Sequence, residues 1–598
     1  MLPPLTRANR QMLIAAVAAV VYFAGLGAPA LWEPDEGRYA EIAREMMVSG
    51  DYVTPRNNWV RYFEKPPLVY WAGAAAIKLF GRNEFAVRAQ AAVASVGSVV
   101  VTAAFAEAIG GPTIGVLAAI ALGLSPLFFI FARFASPDPA LAFFLTAALA
   151  SFYIAAGGTF RSGASRKWML AAAALLGLGT LAKGPVALLL GGAIGVLWIL
   201  IEGRARAIVA IRWLECGSIY LAIVAPWFAI VGTRNPGFLQ FFFVHEHLQR
   251  FVANTEHGWG PWFFIPIVIA GMWPFGYFVP LGIRALSDSA ETSEQIRNRS
   301  AMRFLLIWFV VVFIFFSIPR SKLGEYILPG IPPLAILAAV GLERLRAMER
   351  VRAVRIAGWY AISSFSLYLC VVLGIPLLRR RGIIPAHESF PIFHASSSLG
   401  ALIGDAGLLG WILVVLSSGA WLSAWILKLY SRRTGTWKGV PVLRVIPITA
   451  ALIGGVLIKA RYDATPMVSY RKLAETVAPR LHDGCTLVSY HHFVQSIPFY
   501  TESHELLAGY RGELAPFGDS LDAAPTFIAT DEQLRNRWSG RECAILIVNR
   551  VDVPKLEDLL IPRAVPIACE GKKVALVNRP IAGDPKNAQD CVKEYQGP

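Results

Sequence analysis

The chain has 598 residues, 56% of them hydrophobic and 16% charged, with a mean hydropathy of +0.52 and a formal net charge of +16. A soluble protein has nowhere to hide that much apolar surface, so the composition excludes a soluble enzyme or binding module and specifies an integral membrane protein. The excess of Lys and Arg does not indicate nucleic acid: the basic clusters fall between apolar runs, where cytoplasmic loops collect positive charge.

In chain order, the first apolar run spans 11–32 and follows Arg7 and Arg10. It is too long for the core of a signal peptide and many runs like it follow, so it reads as an uncleaved first span. Runs able to cross a bilayer start near residues 11, 85, 112, 137, 168, 184, 213, 262, 303, 327, 354, 399 and 441, which predicts about thirteen spans. Lys183-Gly184-Pro185 divides the pair between 168 and 201. The basic loops 160–167, 203–212, 343–355 and 428–438 fall on one side with the N-terminus, and that side is expected to be the cytoplasm. Arg379 to Arg381 form the exception, which the same count puts outside.

From about Arg461 the pattern changes, and no spanning run follows. "CTLVSY", "TFIAT" and "AILIVNR" read as short buried strands, while "SYRKLAETVAPRL" and "VPKLEDLL" read as helices. The expected division is a membrane unit, 1–460, and a soluble α/β domain, 461–598, which an odd number of spans places outside the cytoplasm. Cys485, Cys543, Cys569 and Cys591 lie in this tail. An oxidising compartment permits them to pair; unpaired buried thiols are the alternative.

Ionisable residues near membrane depth are costly and default to function. Here they gather on the side opposite the basic loops: Asp35, Glu36 and Arg38 after the first span, Glu64 and Lys65 in "RYFEKPP", Asp138 in "SPDPA", Lys183 in "LAKGP", His245 and Arg250 in "FVHEHLQRF", and Lys322 and Tyr326 in "SKLGEYILP". Lys65, Arg250, Lys322 and Tyr326 are donors suited to a phosphate. Asp35, Glu36, Glu64 and Asp138 can position a nucleophile, act as a base, pair with a sugar amine or hold a divalent cation. Each residue also has a plainer reading: Asp138 as a helix cap, Lys65 and Lys183 as snorkelling cations, Asp35 and Glu36 as interfacial solvation. Their convergence on one face favours a single site.

"PDEGRYAEIAREM", "YFEKPPLVYW", "GRNEFAVR", "LAKGPVALLL", "FVHEHLQRF" and "SKLGEYILP", in this order, resemble the lipid A 4-amino-4-deoxy-L-arabinose transferases. These are membrane glycosyltransferases of the C-type fold, related to the protein O-mannosyltransferases. The resemblance implies a bacterial inner-membrane enzyme that takes a sugar from an undecaprenyl (polyprenyl) phosphate donor at the periplasmic face. It passes the sugar, usually with inversion, to a phosphate of lipid A. Asp35 matches the essential first-loop acid and Asp138 the second. Lys65, Arg250 and Tyr326 match donor-phosphate ligands, and Glu64 and His245 match positions where a divalent metal has been placed. Two departures stand out: Gly37 where members carry Thr or a similar residue, and the two prolines of "SPDPA".

Two rivals follow from the same residues. Within enzymes, the acceptor is protein Ser or Thr, or another glycan or lipid. Outside enzymes, the chain moves lipid-linked sugars; a transporter, however, keeps ionisable groups at the midplane and shows inverted repeats, and here the charges lie at one face. Oligomeric state is not legible.

Overall fold

The computed structural model describes residues 5–157, 163–204, 211–249, 259–287, 293–346, 468–518, 526–556 and 559–579, with isolated positions between 454 and 465. The membrane region is a helical bundle: α1 (Arg7–Phe23), α2 (Asp35–Ser49), α3 (Leu68–Phe80), α4 (Glu84–Gly110), α5 (Pro112–Gly123), α6 (Pro126–Phe131), α7 (Asp138–Gly157), α8 (Gly163–Lys183) and α9 (Val186–Ile201), followed by helices Trp213–Arg234, Ser293–Ser317 and Ile331–Arg346. Each expected start from 11 to 327 coincides with a helical segment. Among the described residues five helices are long and apolar enough to cross a membrane, six with the pair Pro261–Gly271 and Phe275–Ser287, which bends by 97°. The expected starts near 354 and 399 and most of the one near 441 lie outside the described residues, as do Arg379 to Arg381.

Local sequence explains the breaks. The run expected near 112 is two pieces, because Pro126 cannot donate the hydrogen bond that would carry α5 onward into α6. α8 ends at Lys183, where Gly184 takes a φ of +110° before Pro185, a conformation favouring glycine. α9 then folds back along α8, with Gly179 against Ala187 and Gly191 against Leu176. α3 was not anticipated: it has 13 residues, about 20 Å of helix, too short to cross and therefore invisible to a search for spans.

The tail forms a six-stranded sheet of order β5-β4-β3-β6-β8-β7, with β3 (Thr486–Tyr490), β4 (Glu505–Ala508), β5 (Phe527–Ile528), β6 (Ala544–Asn549), β7 (Val565–Glu570) and β8 (Lys573–Val577). β3 to β6 pair in parallel, β8 and β7 antiparallel. β6 reads AILIVN with its first five residues buried, as a parallel strand covered on both faces should. The three predicted strands are present, and "SYRKLAETVAPRL" forms the helix Arg471–His482. "VPKLEDLL" does not form an α-helix: Arg550–Leu556 is a 3-10 segment, with Pro554 inside it. Cys485 and Cys543, just before the adjacent strands β3 and β6, form a disulfide, and Cys569 is disulfide-bonded too.

This domain is bolted to the membrane region. A two-residue hairpin, β1 (Arg56–Asn57) and β2 (Val60–Arg61), turns on Asn58 and Trp59, both at positive φ. Two such residues make the turn that fits strand twist. Asn58 pairs with the backbone of Glu505 in both directions, at 2.7 and 3.0 Å. Glu33 accepts the N–H groups of Gln495 and Ser496 at 3.0 and 2.7 Å. Tyr500 accepts from the Leu31 N–H and donates to Glu84, and Arg471 pairs with Glu84 at 2.8 Å.

Candidate active site

Where α2, α7 and α8 meet the loops around them, a cavity of about 890 Å³ opens beneath the C-terminal domain. Asp35, Arg38, Glu64, Lys65, Asp138, Lys183, His245 and Tyr326 line it, eight of the eleven residues the sequence singled out. They come from six separate segments, and the helix ends carry them to one face.

Asp35 and Arg38 sit in the first turn of α2, three residues apart and so on one helix face. The Arg38 guanidinium lies 3.3 Å from Asp35, 3.3 Å from Glu513 and 3.7 Å from Glu64. Lys65 donates to the backbone carbonyl of Glu64 at 3.1 Å and stands 3.9 Å from the carboxylates of both Glu64 and Glu246, outside hydrogen-bonding distance of either carboxylate. Asp138 opens α7 and its carboxylate takes the Lys183 ammonium directly. Lys183 also lies 4.4 Å above the ring of Tyr326, a cation–π contact. The "FVHEHLQ" portion of "FVHEHLQRF" lies in a π-helix, Gln240–Gln249, a geometry frequent at functional sites. Its wide turn puts Phe241, His245, Glu246 and Gln249 on the cavity wall, with His245 stacked on Phe241.

Two expectations are corrected. Glu36 does not reach the cavity. It is fully buried, gripped by Arg88 through two contacts of 2.7 Å and by Arg461 at 2.8 Å, and it accepts the N–H groups of Trp32 and Ala135. One residue along a helix is a rotation of about 100°, enough to send neighbouring acids to opposite surroundings. Burial alone would raise its carboxyl, but Arg461 and Arg88 outweigh burial and hold it down at about 2. Lys322 is likewise not a phosphate donor here, because its ammonium turns inward to the carbonyls of Trp259 and Pro319. Arg250 lies outside the described residues.

Glu64 and His245 share the cavity wall, but Glu64 is already engaged by Arg38 and Lys65. No group of three or more His, Cys, Asp or Glu side chains able to hold a metal ion occurs among the described residues. Two ligands, one of them paired with cations, make a poor donor set for a divalent metal.

Sequence reading missed the far wall. Gln495, Tyr510 and Glu513 enter from the C-terminal domain, and Glu325 from a motif already singled out. Glu325 carried a usable signal, being an acid beside residues already chosen. Glu513 carried none, since a lone acid in a soluble tail is ordinary.

Gly37 is also explained. A Cβ there would lie 2.6 Å from the Ser496 nitrogen and 2.9 Å from the Gln495 carbonyl carbon. Its absence lets the C-terminal domain close onto α2, so Gly37 concerns domain docking and not the sugar.

The dolichyl-phosphate-mannose-protein mannosyltransferase family model matches residues 11–242, and that of the aminoarabinose transferase C-terminal domain matches 473–578. The undecaprenyl phosphate-alpha-4-amino-4-deoxy-L-arabinose arabinosyl transferase of Edwardsiella ictaluri is 32% identical over 450 residues, 74% of this chain and 76% of that protein. The chain belongs to this arabinosyl transferase family. The namesake from Enterobacter sp. (strain 638) is also 32% identical, over 66% of this chain and 69% of its own length. The crystal structure of the family member ArnT from Cupriavidus metallidurans bound to undecaprenyl phosphate superposes with a TM-score of 0.79 at 27% identity, covering 97% of this chain and 99% of that one. The chain is therefore a polytopic membrane glycosyltransferase with a small C-terminal α/β domain, as its sequence implied.

Proposed function

We propose that the protein transfers 4-amino-4-deoxy-L-arabinose from undecaprenyl phosphate to a phosphate of lipid A, at the periplasmic face of the bacterial inner membrane. The observation that carries this reading is the cavity itself: three cations and six carboxylates, all but Glu513 from the membrane region, sized for a sugar phosphate and roofed by a soluble domain. Relatives named for this donor and this sugar support the substrate. The Cys485–Cys543 disulfide supports an oxidising compartment for the domain, taken as 461–598 after a membrane unit of 1–460.

In this reading the donor phosphate takes Lys65 from its two loose carboxylate contacts and accepts the Tyr326 hydroxyl, with Arg250 as a third donor. Lys183, held by Asp138 and seated over the Tyr326 ring, keeps that ring in place. An oxygen of the acceptor phosphate attacks the anomeric carbon opposite the leaving group. The bond from that carbon to the donor phosphate breaks with its electron pair on phosphate, and configuration inverts. The donor cations stabilise the charge as it develops. A phosphate acceptor is already ionised at neutral pH, so Asp35 acts through position and charge, facing the acceptor or the sugar amine. No step requires a metal; whether one binds at Glu64 and His245 is read by activity after chelation.

The test is transfer by purified protein in nanodiscs from radiolabelled undecaprenyl-phosphate aminoarabinose. Label appearing on lipid A and not on a Ser/Thr peptide is the expected result. Label on the peptide, or donor crossing sealed vesicles without transfer, overturns the reading.

A further inference from the structure

We infer that Glu513, carried by the C-terminal domain, is a positioning residue for the transfer: it holds Arg38 away from full pairing with Asp35, so that the soluble domain completes a site the membrane helices alone would leave closed. The inference rests on the transfer reaction proposed above and on a chain of contacts across the domain boundary.

On α2 alone, Asp35 and Arg38 stand at i and i+3, the spacing at which an acid and an arginine close onto each other. In the assembled protein they do not pair fully. Arg38 makes one 3.3 Å contact to Asp35 and another, from its other terminal nitrogen, to Glu513 across the cavity. Its Nε has no hydrogen-bond partner. The guanidinium is shared between an acid of its own helix and an acid of the other domain, where a two-bonded pair with either would be stronger.

Glu513 is fixed well enough to do this. One carboxylate oxygen accepts the Gln495 side-chain amide, and the other accepts the Tyr62 hydroxyl at 3.2 Å. Gln495 is itself buried; its amide oxygen accepts from Asn57 at 2.6 Å, and its backbone N–H is held by Glu33. Tyr62 closes the ring by accepting from Arg38 at 3.2 Å. A rigid path thus runs from the membrane-side hairpin through the soluble domain and back to the cation beside Asp35. Without the Glu513 charge, Arg38 keeps as counter-charges Asp35 and the more distant Glu64, and it falls onto Asp35. The carboxylate that should face the sugar or the acceptor is then occupied.

Full-length protein in nanodiscs carries the test. With undecaprenyl-phosphate aminoarabinose and lipid A, E513Q is expected to lose about 10- to 100-fold in kcat, the scale of a misplaced reacting group. KM for the donor should stay within about threefold, because the phosphate ligands are untouched. E513D, which restores the charge, should recover most of the loss. Wild-type kcat in E513Q overturns the inference, and so does an equal loss in both variants with a lowered melting temperature, which marks a purely structural contact. A second readout needs no substrate: carbodiimide modification of Asp35, quantified by peptide mass spectrometry, should fall several-fold in E513Q, and unchanged labelling overturns the inference. A wild-type protein that transfers no sugar but shows the labelling difference overturns the proposed reaction and leaves the positioning role standing.

Discussion

Two acid–arginine clusters sit back to back on the first turn of α2. On one side Glu36 is enclosed by Arg88 and Arg461, fully buried, with both oxygens saturated. On the other, Asp35, Arg38, Glu64 and Glu513 face a cavity, with contacts of 3.3 to 3.7 Å and a guanidinium nitrogen unpartnered. The residue types are the same and the difference is satisfaction. Arg88 also donates to the carbonyls of Leu26, Pro29 and Ala30, stitching the end of the first span to α4. A saturated cluster has nothing left to offer a substrate; a loosely paired one does.

The largest effect should come from breaking the saturated cluster. Glu36→Gln leaves the buried Arg88 and the half-buried Arg461 without their counter-charge, at a cost of about 3–5 kcal/mol. We expect poor membrane yield and a large drop in melting temperature, read by thermal unfolding in detergent. A well-folded but inactive E36Q would reverse the comparison and return Glu36 to the chemistry. Next comes the open cluster. Asp35→Asn keeps the shape and removes the charge, and it should cost about 10²–10³ in kcat, the scale of one lost electrostatic contact in the transition state. Its melting temperature should match wild type, because Asp35 has no saturated network to lose. Activity in D35N near that of wild type would remove Asp35 from the mechanism.

Much of this was legible in the sequence, for identifiable reasons. Apolar runs mark spans because the bilayer demands them, and acids beside span ends stand out because they are rare there. That logic found Asp35, Asp138, Lys65 and Lys183. It could not separate Asp35 from Glu36, since adjacent residues diverge only once the helix is built and its neighbours are in place. Lys322 misled in the same way: its position is right, and its ammonium turns inward to two backbone carbonyls. Glu513 and Gln495 were out of reach because they meet the cavity only after the chain folds back across hundreds of residues. Gly37 was seen as a departure, but its cause lay on the same distant partner.

Gly37 supplies an intermediate test. Gly37→Thr, the residue the resemblance leads one to expect, forces the 495–496 backbone away from α2. Overpacking of this kind costs about 1–3 kcal/mol. Because that backbone carries Gln495, activity should fall further than stability does, by tenfold or so if Glu513 positioning fails with it. A G37T protein with normal kcat would show that the domain contact is not coupled to the site.

The smallest effect concerns pH and the hinge between the same two regions. Burial pushes the Glu33 carboxyl up to about 7, against the lowering influence of the Gln495 and Ser496 N–H groups and Arg38. Glu505, close by on β4, is likewise pushed up by burial, to about 8, while burial brings Lys573 down to about 8. A carboxyl raised on folding holds more protons in the folded state than in the unfolded one. Its contribution is therefore fully present below the unfolded value of about 4.5 and declines as pH rises through 7. Lys573 works in the opposite direction only above about 8, and His492, which burial brings down to about 3, works in the opposite direction up to about 6.5, so the fall from the two acids shows between about pH 6.5 and 8. The melting temperature should fall across that window, and Glu33→Gln should flatten the fall while keeping acceptance of one backbone N–H. If E33Q keeps the full wild-type slope, the pH response belongs to Glu505 or to another group, and Glu33 holds the C-terminal domain as a permanently charged clasp.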